Sequence, residues 1–210
     1  MILITGATGQ LGKSVVEQLT KRIAANQIVA FVRDESKASV IKEKGVNLAV
    51  GNYDDVSSLD QAMRGVEKVL LISGTEQNRI QQHQNVVDAA KRAGVQLIAY
   101  TSWAVKGQDT ASNPLMAGHF ATEASIKSSG LNYALLHNAL YMDVIPLYVG
   151  VEKVFETGIY CQQVMEGFPL RFAASWVRRL PICLWMGTPR AEFTNSRQAR
   201  RGRITTLQTR

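Results

Sequence analysis

The first 158 residues alternate between short apolar runs and longer segments with a helical pattern. The apolar runs, rich in Ile, Val and Leu, predict strands over residues 2–5, 28–33, 47–50, 68–73, 96–101 and 132–138. The segments between them predict helices over residues 11–23, 36–44, 56–64, 79–93 and 115–129. Because strands that alternate with helices are typical of a parallel sheet covered on both faces, residues 1–158 are predicted to form a doubly wound α/β domain.

Three glycines mark the ends of predicted helices. Gly45, Gly94 and Gly130 each follow a helical segment and precede a strand. A glycine at such a position adopts the left-handed conformation that closes many helices. The recurring order of helix, glycine and strand supports the doubly wound fold.

Residues 159–210 differ from the preceding domain in charge and composition. Residues 1–158 carry fifteen basic and fifteen acidic side chains, whereas residues 159–210 carry nine Arg, no Lys and two Glu. The whole formal net charge of +7 therefore comes from this last segment. Two origins stay open for it: a coding sequence read in a shifted frame, or a natural basic appendage that binds an acidic partner.

Several classes of protein are disfavoured by the rest of the composition. The arginines of the last segment form no readable helical or aromatic-interleaved pattern, so we expect no nucleic-acid partner. Cys161 and Cys183 lack the spacing of a metal site or a disulfide framework, so we expect incidental thiols and no metal. No apolar run is long enough to span a membrane, and Met1 leads into ILITG without a secretory leader. We therefore expect a cytoplasmic protein without a membrane partner.

The most specific motif directly follows the first predicted strand. Residues 6–12 have the spacing G-x-x-G-x-x-G and open the first predicted helix. Glycines in this context allow a tight turn and a close approach of a pyrophosphate, whose charge the helix N-terminus stabilises. We therefore predict a Rossmann-like dinucleotide site built from Gly6, Thr8, Gly9, Gln10, Leu11 and Gly12.

The end of the second predicted strand bears on the form of the nucleotide. Arg33 stands about twenty residues beyond the glycines, where the adenosine ribose is expected, and Asp34 follows it. A guanidinium binds a 2′-phosphate through paired hydrogen bonds, whereas a carboxylate binds the 2′-hydroxyl and repels the phosphate. We therefore predict NADP(H), with NAD(H) bound through Asp34 as the alternative.

Polar residues also follow the third, fourth and fifth predicted strands. Ligands of open α/β sheets bind at the carboxyl ends of the strands. Asp54 is thus a candidate for the adenine edge, and further candidates at these ends are Ser73, Gly74 and Thr101.

Four sequence blocks together resemble the NmrA-like family of atypical short-chain dehydrogenases and reductases. They are ITGATGQLG at 4–12, VRD at 32–34, GV at 94–95 followed by IAYTS at 98–102, and LLHNALY at 135–141. Within the family they are similar to bacterial type 2 NAD(P)H:quinone oxidoreductases and triphenylmethane reductases. The resemblance implies that Thr8 to Leu11 contact the pyrophosphate and Arg33 the 2′-phosphate. It also implies that the nicotinamide lies beside Ser73, Thr101 and the segment from Asn138 to Tyr141.

The chain departs from the family in two places. His137 stands where the family usually has Arg. Family members also continue beyond residue 158 into a lobe that covers the substrate, which residues 159–210 do not resemble. We therefore expect an atypical Arg-rich tail in place of a substrate lobe.

The tyrosines and histidines bear on the reaction. None of the six tyrosines has a Lys four positions later, the pair that short-chain dehydrogenases use to protonate a carbonyl oxygen. A quinone needs less help because it is strongly electrophilic, and positioning is sufficient. We predict NADPH-dependent hydride transfer to a quinone-like or other electrophilic aromatic small molecule, with unknown catalytic residues. The alternatives are a non-catalytic NADP(H)-sensing regulator and a chain that binds nucleotide without turnover; self-association stays open.

His119 and Glu123 lie one helical turn apart in the last predicted helix. Side chains at this spacing are neighbours on a helix surface. We expect a capping or surface pair, with a position in the substrate cleft as the alternative.

Overall fold

The computed structural model describes residues 1–103, 114–138 and 191–194. Within these ranges, seven parallel strands form one sheet in the order β3-β2-β1-β4-β5-β6-β7. The strands are β1 Ile2–Thr5, β2 Ile28–Val32, β3 Asn47–Val50, β4 Lys68–Leu71, β5 Leu97–Trp103, β6 Asn132–Asn138 and β7 Ala191–Thr194. Strand order reverses direction between β1 and β4, which is the switch point where open α/β sheets bind their ligands.

Helices cover both faces of the sheet. They are α1 Gln10–Thr20, α2 Ser39–Glu43, α3 Val56–Ala62, α4 Arg79–Arg92 and α5 Pro114–Ser128, with 3₁₀ turns at Ala25–Gln27 and Glu35–Ala38. Buried side chains of α1 and α2 pack against one face, and those of α3, α4 and α5 against the other. Burial of apolar area on both faces explains why the strands are almost continuously apolar.

The doubly wound α/β fold predicted from the sequence is confirmed. All six predicted strands form, with shifted ends: β2 ends one residue earlier, at Val32, β4 ends two residues earlier, at Leu71, and β5 runs from Leu97 to Trp103. Gly45, Gly94 and Gly130 have φ of 78°, 68° and 84°, as predicted for left-handed helix ends. The predicted helix over 36–44 is instead a 3₁₀ turn followed by the short helix α2, because Asp34 accepts a hydrogen bond from the Ser36 N–H and starts the turn early.

One strand was not predicted by the apolar pattern. Residues 191–194, within the Arg-rich segment, pair with β6 as the edge strand β7. The division into residues 1–158 and 159–210 stays a prediction, and Tyr141, Cys161 and Cys183 lie outside the described residues. In the described ranges, no helix has the length and apolar character needed to cross a membrane. Those ranges also hold no group of three His, Cys, Asp or Glu side chains arranged to bind a metal ion.

Candidate functional site

The glycine-rich turn connects β1 to α1 at the carboxyl edge of the sheet. Gly6 has φ of +60°, a backbone conformation that a residue with a side chain rarely adopts. The Gly9 N–H donates to the Gly6 carbonyl at 3.0 Å, and the Gly9 carbonyl accepts from the Lys13 N–H at 2.9 Å. Gly9 thus closes the turn and begins α1, so that the first N–H groups of the helix face outward without intrahelical partners.

The three glycines of this turn have different roles. A Cβ on Gly12 would lie 2.2 Å from the Gly6 carbonyl oxygen and 2.6 Å from the Ala7 Cα, so Gly12 allows the first turn of α1 to pack against the backbone of the loop after β1. A Cβ on Gly9 would approach only the Gly6 carbonyl oxygen, at 3.3 Å. Gly9 is exposed, and its missing side chain leaves room beside the helix N-terminus for a bulky anion. The turn therefore fits a pyrophosphate.

The other predicted residues of the turn divide by burial. Leu11 packs in the core beneath α1, so only its backbone can face a ligand at the helix N-terminus. Gln10 is exposed and Thr8 is partly buried. These residues stay predicted contacts, with Leu11 acting through its N–H.

The loop after β4 lies next to the glycine turn, because β4 pairs with β1. The Ile72 N–H donates to Thr5 Oγ1 at 2.9 Å, and the Ser73 N–H donates to Thr101 Oγ1 at 2.9 Å. The Thr101 hydroxyl in turn donates to Ser73 Oγ at 3.3 Å. The structure thus brings the predicted residues Ser73 and Thr101 together at the sheet edge.

His83 on α4 holds the next residue of the same loop. Its Nε2 accepts from the Gly74 N–H at 3.1 Å, and its Nδ1 lies 2.9 Å from Thr122 Oγ1. Because the Thr122 hydroxyl donates to the Gly118 carbonyl, Nδ1 must carry the proton and donate to Thr122. Burial and the nearby Arg79 charge lower the pKa of His83 to about 3, which keeps the ring neutral in this arrangement.

Arg79 is a buried cation at the start of α4. Its guanidinium donates to the Gly74 carbonyl at 3.4 Å and occupies the space that a Cβ on Gly118 would fill. Burial lowers the pKa of Arg79 from its ordinary value, and the group keeps its charge because that value is so high. The loop after β4 therefore rests on a positive charge and a neutral imidazole.

The predicted adenosine-side residues have partners within the protein. The Arg33 guanidinium lies 3.1 Å from Glu76 Oε1, across the end of β1. The two carboxylate oxygens of Asp54 accept from the Asn78 and Gln82 amides, at 2.9 Å and 2.8 Å. Asp54 thereby joins the segment after β3 to α4, and its predicted contact with adenine stays a prediction.

The prediction that His119 and Glu123 form a capping or surface pair is wrong. Both side chains instead form hydrogen bonds with residues of β5. His119 Nδ1 is hydrogen-bonded to the Tyr100 hydroxyl at 2.8 Å, and Glu123 accepts a hydrogen bond from Ser102. Glu123 Oε1 also lies 3.0 Å from His137 Nε2. Burial raises the pKa of Glu123, but the hydrogen bonds from His137 and Ser102 outweigh it and leave that pKa below its ordinary value. His137 is thus held by a carboxylate on α5.

Asn138 ends β6 and was predicted on the nicotinamide side. Its side chain is 5% exposed, and its Oδ1 has no hydrogen-bond partner in the described structure. A buried amide oxygen without a donor is costly, and such atoms require an explanation. A ligand carrying an amide N–H, such as a nicotinamide carboxamide, would supply that donor. The predicted residue Tyr141 lies outside the described residues.

The sequence did not identify two side chains at the loop after β4, those of His83 and Glu76. His83 had only the signal of a lone histidine on a helix, and Glu76 had none. Each has a partner distant in the chain, Thr122 for His83 and Arg33 for Glu76. A single sequence contains no periodicity or spacing that reports such contacts.

This sheet order, together with the glycine turn that opens α1, defines a Rossmann-like protein. Residues 1–157 match the NmrA-like family, and the chain belongs to that family. The resemblance stated from the sequence blocks is thereby confirmed.

The chain is similar to several characterised oxidoreductases. Quinone oxidoreductase 2 of Escherichia coli (strain K12) is 46% identical over 144 residues, which are 68% of this chain and 50% of that protein. An NADPH-dependent quinone oxidoreductase of Escherichia coli, solved with NADPH, superposes with a TM-score of 0.81 at 35% identity over 93% of this chain and 69% of that chain. The Citrobacter sp. triphenylmethane reductase complexed with NADP(H) gives a TM-score of 0.78 at 34% identity, over 93% and 70% of the two chains. The chain spans about half the length of the curated relatives that it matches.

Proposed function

We propose that this chain binds NADPH along the carboxyl edge of the sheet and reduces quinone-like or other electrophilic aromatic acceptors. The glycine turn carries this proposal, because it combines the left-handed Gly6 with an open Gly9 at the N-terminus of α1. The quinone and triphenylmethane reductases to which the chain is similar support the acceptor class.

The residues of the chain divide the task of binding. The turn at residues 6–9 and the N-terminus of α1 would hold the pyrophosphate, and Arg33 would hold the 2′-phosphate. Ser73, Thr101 and the unpartnered Asn138 oxygen would orient the nicotinamide end. The reduced nicotinamide supplies the hydride when it is bound. The protein contributes orientation, because a quinone-like acceptor is reactive enough for positioning to suffice.

Titration with NADPH and NADH, followed by a panel of quinones, tests the proposal. We expect NADPH to bind more tightly than NADH and to be oxidised when a quinone is added. Binding without turnover by any acceptor would favour the non-catalytic NADP(H) sensor, and an absence of nucleotide binding would contradict both.

Arg33→Ala tests the assignment of the 2′-phosphate. We expect this variant to lose most of the preference for NADPH, because a charged contact with phosphate contributes about 1.5–3 kcal/mol. Arg92→Ala is the matched control: Arg92 forms an exposed ion pair with Asp60 at the far end of α4, so the charge change is the same. Equal affinities for NADPH and NADH in the unmodified chain would contradict the assignment.

A further inference from the structure

The ion pair of Arg33 and Glu76 spans the place where the nucleotide is proposed to lie. Arg33 directly follows β2, and Glu76 lies in the loop after β4. Strand β1, with its glycine turn, lies between those two strands in the sheet. The guanidinium and the carboxylate approach to 3.1 Å, with 77% and 53% of their side chains exposed.

The backbone around Glu76 is held on both sides. Upstream, the Gly74 N–H donates to His83, and downstream, the side-chain amide of Asn78 donates to Asp54. The Glu76 carbonyl itself accepts from the Arg79 N–H at 3.2 Å. The loop therefore keeps Glu76 near the end of β2, and because both side chains are exposed, a ligand can separate Arg33 from Glu76.

Carboxylates face three cations of the segment that follows β2, namely Arg33, Lys37 and Lys42. Arg33 pairs with Glu76, Lys42 lies 2.6 Å from Glu35, and Lys37 lies 4.0 Å from Asp34. A phosphate that enters this region therefore meets cations whose charge is already compensated. To bind Arg33, it must replace the Glu76 carboxylate as the partner of the guanidinium.

We propose that Glu76 determines how strongly this chain prefers 2′-phosphorylated nucleotides, by competing with the 2′-phosphate for the Arg33 guanidinium. This inference rests on the proposed function. NADH has a hydroxyl in place of that phosphate. Its binding therefore does not require Arg33, and Glu76 repels it less than it repels NADPH. Glu76 thus weakens NADPH binding selectively and narrows the gap between the two nucleotides.

Glu76→Gln tests the inference, because it removes the charge and keeps the size of an exposed side chain. We expect affinity for NADPH to rise about 2- to 10-fold, the range for losing one exposed ion pair and one nearby repulsion. Affinity for NADH should change by less than about twofold, because exposed single charges act weakly at a distance. Glu35→Gln is the matched control, since it makes the same charge change on the same edge but pairs with Lys42.

Dissociation constants should be measured on the full chain by calorimetry for wild type, both variants, Arg33→Ala, and Arg33→Ala combined with Glu76→Gln. In the absence of Arg33, we expect the gain from Glu76→Gln to fall to about twofold or less, because only the repulsion remains. A gain that Glu35→Gln reproduces, that extends equally to NADH, or that persists without Arg33 would overturn the inference. In each of these cases, NADPH binding by wild type would leave the proposed function standing. If wild type binds neither nucleotide, both fall.

Discussion

The loop after β1 and the loop after β4 lie side by side, but they are held in different ways. The first is held by its own backbone: Gly6 takes a positive φ, and the Gly9 N–H bonds to the Gly6 carbonyl. The second is held by side chains from other elements, namely Thr5, Asp54, His83 and Thr101. A loop of the first kind depends on a few adjacent residues, whereas a loop of the second kind depends on the whole fold.

The largest expected effects come from two glycines of the first loop. Gly12→Ala should lower the free energy of unfolding by about 3 kcal/mol, because the new Cβ would overlap backbone atoms of Gly6 and Ala7. Gly9→Val should leave the domain folded but lower NADPH affinity by at least about 100-fold, since the branched side chain would occupy the space of the pyrophosphate. Urea unfolding and NADPH titration of both variants measure the two effects.

This pair of variants separates packing from binding within one turn. Gly9→Ala is the control, because its Cβ would meet only one atom, at 3.3 Å, and should cost little stability. If Gly9→Val folds and binds NADPH as wild type does, then the turn has only a structural role.

Through His83, the second loop should make the free energy of unfolding depend on pH. The pKa of His83 is about 3 in the folded chain, because burial and Arg79 disfavour its charge, and it returns to about 6.5 on unfolding. The unfolded chain therefore binds more protons between these values, so His83 contributes stability above about pH 6.5 that is lost as the pH falls. At about pH 4.5 this loss amounts to about 3 kcal/mol.

His83→Gln should remove this part of the pH dependence. Its amide oxygen can still accept from Gly74, although the bond to Thr122 is lost and stability falls at every pH. Urea unfolding of both proteins at about pH 7.5 and about pH 4.5 gives the change within each, so the constant loss cancels. His119, whose pKa burial and Arg79 lower to about 4, gives both proteins a similar acid sensitivity. An equal pH dependence in wild type and variant would show that His83 titrates normally.

The same contrast explains what the sequence predicted. Apolar runs predicted six strands, because strands buried on both faces are largely apolar. The glycine spacing predicted the turn after β1, because each glycine meets a local backbone requirement. Glu76 and His83 could not be assigned, since their partners Arg33 and Thr122 are 43 and 39 residues away.

The errors at the edges of the fold have a related cause. The pair of His119 and Glu123 has the correct helical spacing, but each side chain finds a better partner on the sheet, Tyr100 for one and Ser102 for the other. Strand β7 lies in a segment without regular apolar spacing, and its place is set by the exposed edge of β6 rather than by its own pattern. Contacts made in the folded state override local preferences in both cases.

The smallest expected effect is that of the Arg-rich segment on nucleotide affinity. Both loops and Arg33 lie within residues 1–101, so residues 159–210 contribute no residue to them. From its composition, we expect limited proteolysis to cut first after about residue 165, and the remaining fragment to bind NADPH within about twofold of the intact chain. Because β7 pairs with β6, we also expect the peptide bonds within residues 191–194 to be cut more slowly than neighbouring peptide bonds.

Acceptor turnover before and after proteolysis completes this test. We expect turnover to be low in both forms, because a segment without regular apolar positions offers little to orient an acceptor or exclude water. A protease-resistant segment, with full quinone turnover that disappears on truncation, would show instead that residues 159–210 form a substrate lobe. A loss of NADPH affinity beyond about tenfold would show that the segment also supports one of the two loops. The loop after β4 would then be the one affected, because it is held by side chains from other parts of the fold.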